Sequence, residues 1–195
     1  MFQAGWPPIL EFTNTQVQLL VEEYEKSGFD VFRQELDKEL IECFNDKFLK
    51  GKLSEWRENT FLKSRIHILE SAIEAHITGN YYLSVPAMLI QFEGIIADEY
   101  RAGGPLRDDK LKKHISKLYL NDDALYPFPD NAREYFDDNT FSAFQWGTPF
   151  ISRSNRYSIL RGADSGYGTE LNSLKTIMLF DFLLTTITMD KTPII

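Results

Sequence analysis

A single cysteine, Cys43, stands in 195 residues, so no disulfide can form within the chain. Nor can a zinc site draw two thiolates from one copy. That scarcity fits a reducing compartment, and the expected location is the cytoplasm. Histidine is nearly as sparse. Three histidines lie scattered, with no paired carboxylate–histidine helix motif, so neither a metal nor another cofactor is expected. Long apolar runs are missing. The most apolar late stretch, 177–189, is interrupted by Asp181 and several threonines and is too short and polar to span a bilayer, so no membrane partner is expected. The start, MFQAGWPPILEF, has neither the basic beginning nor the apolar run of a signal peptide. Positive charge is in deficit: 21 Lys and Arg against 29 Asp and Glu give a net charge of −8 and a pI of about 4.9. This balance opposes non-specific nucleic-acid binding by the whole surface but leaves room for a local basic patch. The glycines at 162, 166 and 168 lack the strand, helix and lysine of a phosphate-binding loop, and no nucleophile-elbow pattern occurs. No two carboxylates are spaced as a recognisable acid–base pair.

What is present describes a packed helical protein. Hydrophobic residues make up 43% and aromatics 14%, and the length suits one domain with an N-terminal appendage. No amphipathic strand pattern appears, so the expected class is all-α. Two overlapping capping boxes, Thr13/Gln16 and Thr15/Gln18, open a helix that carries Val17, Leu20, Val21 and Tyr24 and ends at Ser27-Gly28. A second helix is expected over 30–49, closed by Gly51, making a helical hairpin with the first. Its apolar faces serve ordinary core packing, a reading preferred here to a partner-binding appendage. A third helix is expected over 59–78, with His76 beside its apolar stripe, where it could line a cleft. Ser84 should cap a fourth helix, with Pro86 in its first turn. A short basic helix over 107–118, an aromatic-rich loop over 121–150 with one helix near 131–136, and a last helix over 169–187 complete the chain. The last helix carries Leu171, Leu174, Met178 and Phe182 on one stripe.

The chemistry concentrates before that last helix. Arg153, Arg156 and Arg161 fall in a short basic segment, and three glycines then make a tight connection. Arg156 and Arg161 would not share a face of a straight helix, but they can converge at a helix start or a bend. Arginine binds phosphate through a planar fork and stabilises a charged transition state. It is a poor general acid or base. The alternative is structural: these arginines pair with acids such as Glu93 or Asp164 and fix the loop. Glu93 borders an apolar helix face, where it is either a boundary residue or the partner of a buried arginine.

The segment Asn155-Arg156-Tyr157-Ser158-Ile159-Leu160-Arg161-Gly162, followed by Tyr167-Gly168-Thr169-Glu170 and Asn172-Ser173-Leu174-Lys175, resembles the C-terminal part of bacterial HEPN-like proteins. The upstream runs Glu74-Ala75-His76, Gly79-Asn80-Tyr81, Ser84-Val85-Pro86 and Gln91-Phe92-Glu93-Gly94-Ile95 resemble the earlier helix pair of the same group. The likeness covers roughly 65–187. It implies an all-α, HEPN-like helical bundle over 61–195, with 1–60 as an N-terminal helical extension packed on it. It implies a metal-independent endoribonuclease scaffold of prokaryotic defence or toxin–antitoxin type. RNA would be the ligand, a homodimer the assembly, and an antitoxin or defence-system protein a further partner. Arg156 matches the motif arginine and would hold the scissile phosphate. Asn155 would orient it, and Glu93 would position an arginine. The family histidine falls at position 161, where this chain has Arg161. That departure keeps charge stabilisation and removes the proton-transfer group, leaving His76 and Tyr157 as the nearest substitutes. The other reading is a non-catalytic dimerisation or partner-binding module with a structural arginine–carboxylate network.

Overall fold

α5, spanning Tyr81–Glu99, packs along the helix before it, Ile66–Ile77, and along the last helix, Glu170–Met189. The computed structural model describes residues 4–100, 110, 111, 113, 130–149 and 154–189. Among these residues every regular element is helical and no strand occurs; the chain is all-α. The remaining helices are α1 (Asn14–Ser27), α2 (Phe29–Cys43), α3 (Asp46–Glu58), α4 (Ile66–Ile77), α6 (Asp130–Tyr135), α7 (Arg156–Leu160) and α8 (Glu170–Met189). A 3₁₀ turn (Thr60–Leu62) precedes α4, and a π-helical turn (Phe136–Thr140) follows α6.

The first of the two expected capping boxes is the one used. Thr13 Oγ1 accepts the Gln16 amide, and the Gln16 side chain accepts the Thr13 amide at 2.9 Å. Gly28, with φ at +78°, ends α1 and allows the reversal into α2.

The single helix expected over 30–49 is two helices. Phe44 leaves helical geometry, and Asn45 adopts an extended backbone from which its side chain caps the amides of Lys47 and Phe48. Gly51 therefore lies inside α3 instead of closing a helix. The helix expected over 59–78 begins later, because Asn59 caps the 3₁₀ turn and α4 starts only at Ile66.

Ser84 is not a cap. α5 begins at Tyr81, and Ser84 is fully buried inside it, accepting a hydrogen bond from the Ser173 hydroxyl at 2.9 Å. Pro86 is the sixth residue of α5. A proline removes the amide that would bond the carbonyl four residues earlier. That carbonyl belongs to Tyr82, and it accepts the Tyr167 hydroxyl at 3.1 Å.

α4 returns antiparallel to α5 through the turn at Gly79. α8 runs parallel to α5: Ser84 meets Ser173 near their starts, and Phe92 stacks on Phe180 further along. The expected apolar stripe of α8 widens into burial around the whole helix from Asn172 to Leu184. An all-round buried helix is the centre of a core, and its polar residues then need partners. Asp181 receives Trp56 Nε1 at 2.8 Å and Lys52 at 3.1 Å, and Lys52 also reaches Glu11 at 2.8 Å. Burial works against the charge of Lys52, but Glu11 and Asp181 outweigh it and its pKa is raised.

Residues 4–12 strap this core. Trp6 is completely buried and donates to Asp37 Oδ1 at 2.6 Å, while Lys175 Nζ lies 4.9 Å from the Trp6 ring centroid. Burial pushes the Lys175 pKa down to about 8, against the attraction of Asp37. α2 and α3 contribute Leu36, Leu49 and Trp56 to the same continuous core as α5 and α8. α1 is the exception, since none of its residues is buried. Of the basic segment 107–118, the described Lys110, Leu111 and Lys113 are helical, and Leu111 is buried.

Truncation should therefore separate the two kinds of apolar position. Leu49→Ala should cost about 2–5 kcal/mol of unfolding free energy, whereas Val21→Ala should change it by no more than about 0.5 kcal/mol. Urea denaturation of both variants beside the parent checks the contrast.

Candidate functional site

α7 is one and a half turns long, and its geometry is set at both ends. Asn155 caps the start: its Oδ1 accepts the Ser158 amide at 2.9 Å. Its Nδ2 donates to the Ser142 carbonyl at 2.9 Å and to the Ser142 hydroxyl at 2.6 Å. Both ends of the Asn155 amide are thus engaged in holding α7 onto the 141–149 segment, and the side chain is buried. At the other end Arg161 caps the helix and Gly162 takes φ +74°. The Ser158 carbonyl then accepts the amides of Ala163 and Asp164, which turns the chain toward α8.

This bend brings Arg156 and Arg161 together. Their guanidinium carbons lie 5.2 and 5.4 Å from the ring centroid of Tyr157, within cation–π range. The two arginines differ in setting. Arg156 is buried and forms an ion pair with Glu93 of α5 through Nη2. Its Nε makes no hydrogen bond among the described residues. Burial first, and then the nearby charge of Arg161, lower the Arg156 pKa from its ordinary value. An arginine so placed stays charged, because it begins far above neutrality. Arg161 is exposed. Glu93 is the partner of a buried arginine, and that arginine is Arg156. Asp164 is buried and accepts the Gly166 amide at 2.7 Å, fixing the loop between α7 and α8.

His76 is not part of this group. It is buried at the end of α4, where Nδ1 is 2.8 Å from the Ser173 hydroxyl and the ring meets Tyr81 edge-on. It touches α5 at Tyr81 and, through Ser173, at Ser84. Glu93 lies nine to twelve residues further on, about 14–18 Å along the axis at 1.5 Å per residue. His76 therefore ties α4, α5 and α8 together away from the arginines. Arg153, the third expected RNA-binding arginine, lies outside the described residues.

Two features beside the site escaped the sequence reading. Arg65 at the start of α4 bonds Asp98 through Nε at 3.0 Å and Nη2 at 2.8 Å, and reaches Gln91 at 3.0 Å. Its guanidinium lies where a Cβ of Gly94 would be, at 2.1 Å from that position. Tyr82 likewise covers Gly168 so closely that a Cβ there would meet the ring at 2.5 Å. A glycine inside the α5 pattern was the available signal for a close approach.

The arrangement can grip an anion through exposed Arg161, whose guanidinium lies on the buried Tyr157 ring, with Arg156 held as a fixed charge behind it. Among the described residues, no group of three or more His, Cys, Asp or Glu side chains is placed to hold a metal ion. None of the described helices is long and apolar enough to cross a membrane. Comparison with protein-family models, curated proteins and solved structures finds no match to this chain.

Two outcomes follow from the geometry. Asn155→Ala should cost about 1–2 kcal/mol through the lost cap, with thermal unfolding as the measurement. Burial lowers the His76 pKa from its ordinary 6.5, with Asp46 opposing. The folded state thus favours the neutral ring, so this contribution is fully present above pH 6.5 and falls as pH drops below that value. Urea midpoints between pH 7.5 and pH 5 should decline, and His76→Gln should flatten the decline.

Proposed function

We propose that this chain is a HEPN-like, RNA-directed domain of prokaryotic defence or toxin–antitoxin type that binds RNA and does not cut it. The observation that carries the reading is the convergence of Arg156 and Arg161 on the Tyr157 ring. Arg161 is exposed and carries the planar fork that a phosphate accepts, and the buried Tyr157 ring beneath it keeps that guanidinium in place. Arg156, anchored by Glu93, also lies against the Tyr157 ring, with its charge largely balanced by that carboxylate. The absence of cleavage rests on two points. Position 161 carries a group that cannot exchange a proton near neutrality, and His76 is committed to Ser173 well along α5. A 2′-hydroxyl attack needs that proton removed, so binding outlasts catalysis in this sequence.

A second reading has its own observation. Burial of Arg156 against Glu93 favours a non-catalytic dimerisation or partner-binding module in which the pair is structural. An antitoxin or another defence-system protein would then be the ligand.

The test pairs binding with cleavage on single-stranded RNA in the absence of divalent metal. The parent should bind with affinity that falls steeply as salt rises. Arg161→Ala should weaken binding about tenfold, equivalent to about 1.4 kcal/mol, and Arg161→His should acquire cleavage. Binding by neither the parent nor Arg161→His would remove the RNA reading and leave the partner-binding module. Cleavage by the parent that Arg156→Ala abolishes would show that an arginine at position 161 sustains catalysis.

A further inference from the structure

A surface remains that the arginine site does not use. α1 is a 14-residue helix, capped at both ends, and it buries no residue. Its apolar side chains are nevertheless patterned. Val17, Val21 and Tyr24 follow one another by four and three residues and so share a face. They are 45%, 50% and 42% exposed, and Phe29, edge-on to Tyr24, extends the patch onto α2. A helix this short is marginal in water on its own terms. Here it is pre-formed by a complete capping box and by packing of Tyr24 on Phe32. A contiguous apolar face on a pre-formed helix marks an interaction site.

Charge identifies what fits it. Residues 14–43, which make up the α1–α2 hairpin, carry eight acidic and three basic side chains, a net −5 out of the chain's −8. Glu25, four residues after Val21, is exposed beside the patch, and Glu22 is exposed on the next face round. A second copy presenting the same face would set these charges against their equals. Nucleic acid and anionic bilayers would be repelled as well. We propose that this face docks an amphipathic helix of a partner protein whose apolar stripe is flanked by lysine or arginine. Docking of one amphipathic helix on another takes its affinity from the apolar anchors and its orientation from the flanking charges. The proposal stands on a different surface from the RNA reading and does not depend on it.

The experiment uses the full chain and a fluorescein-labelled synthetic helix of leucine and lysine with its leucines on one face, followed by anisotropy. The parent should bind this peptide and should not bind the matching leucine–glutamate peptide. The double variant Val17→Ser/Val21→Ser should weaken binding at least about tenfold while circular dichroism stays that of the parent, since neither valine is buried. Glu22→Gln/Glu25→Gln should weaken it and reduce its salt dependence. The proposal is overturned if the lysine peptide does not bind the parent, or if the valine variant binds it as well as the parent does, because attraction would then be charge alone. Sedimentation supplies the remaining check: a parent dimer that the valine variant dissolves would assign the face to a second copy.

Discussion

The parallel packing of α5 on α8 is the constraint from which the site follows. Ser84 meets Ser173, and Phe92 meets Phe180. These contacts are eight residues apart on one helix and seven on the other, so the two helices advance almost in step. Any slip by a turn would separate both pairs. Because α7 is tied to α8 through a short loop, and that loop is pinned to α5 by Tyr167 on the Tyr82 carbonyl, the register also decides which α5 residue faces Arg156. Glu93 is that residue. Pro86 belongs to the same argument. By withholding an amide it frees the Tyr82 carbonyl that Tyr167 uses, so a residue usually hostile to a helix interior here provides an anchor point.

Register in an apolar interface is poorly specified by apolar groups alone, because many leucine and isoleucine arrangements pack comparably. The buried polar contacts of this core discriminate more sharply. Asp181 lies in the most apolar part of α8, where burial raises its pKa while Lys52 and Trp56 oppose the rise. Moved from these partners it would be an uncompensated charge in the core, a more severe penalty than the pair's own net contribution. The His76–Ser173–Ser84 chain acts at the other end of the same interface and joins a third helix to it. Two polar fixtures at separated points on α8 thus define one alignment of α3, α4 and α5 against it.

Much of this was legible in the sequence, and the failures have physical causes. The all-α class, the capping box at Thr13 and the last helix follow from local signals. The break at Asn45 did not, because Leu40, Phe44 and Phe48 keep steps of four across it, so periodicity carried on where the backbone did not. Ser84 before Pro86 has the composition of a helix start, yet its partner Ser173 is 89 residues away. His76 was placed at a stripe edge, but whether such a residue faces a cleft or a serine depends on a helix 97 residues later. For α1, core packing was the preferred reading of the apolar face, yet none of its residues is buried, because spacing announces a face without saying what covers it. The pairing of Glu93 with an arginine was open to inference, since an acid at the border of an apolar face needs a cation. Which arginine it was depended on the bend at α7. The participation of Arg65, by contrast, required knowing that Gly94 lies under it.

The chemistry of position 161 can be weighed on the same terms. A histidine there would carry a pKa near neutrality and could take or give a proton, while an arginine supplies only charge and a fixed fork of donors. Nothing in the geometry penalises the larger group. Arg161 caps α7, is exposed, and lays its guanidinium on Tyr157, where the cation–π contact is favourable. An arginine at this position therefore fits the local fold and supplies charge without proton transfer. Arg156 adds no proton-transfer group either, because burial and Glu93 hold it as a fixed cation. The buried Arg156 and the exposed Arg161 are permanent cations, so the site offers charge and no group for proton transfer. That asymmetry is the physical reason to read it as a site for holding an anionic ligand.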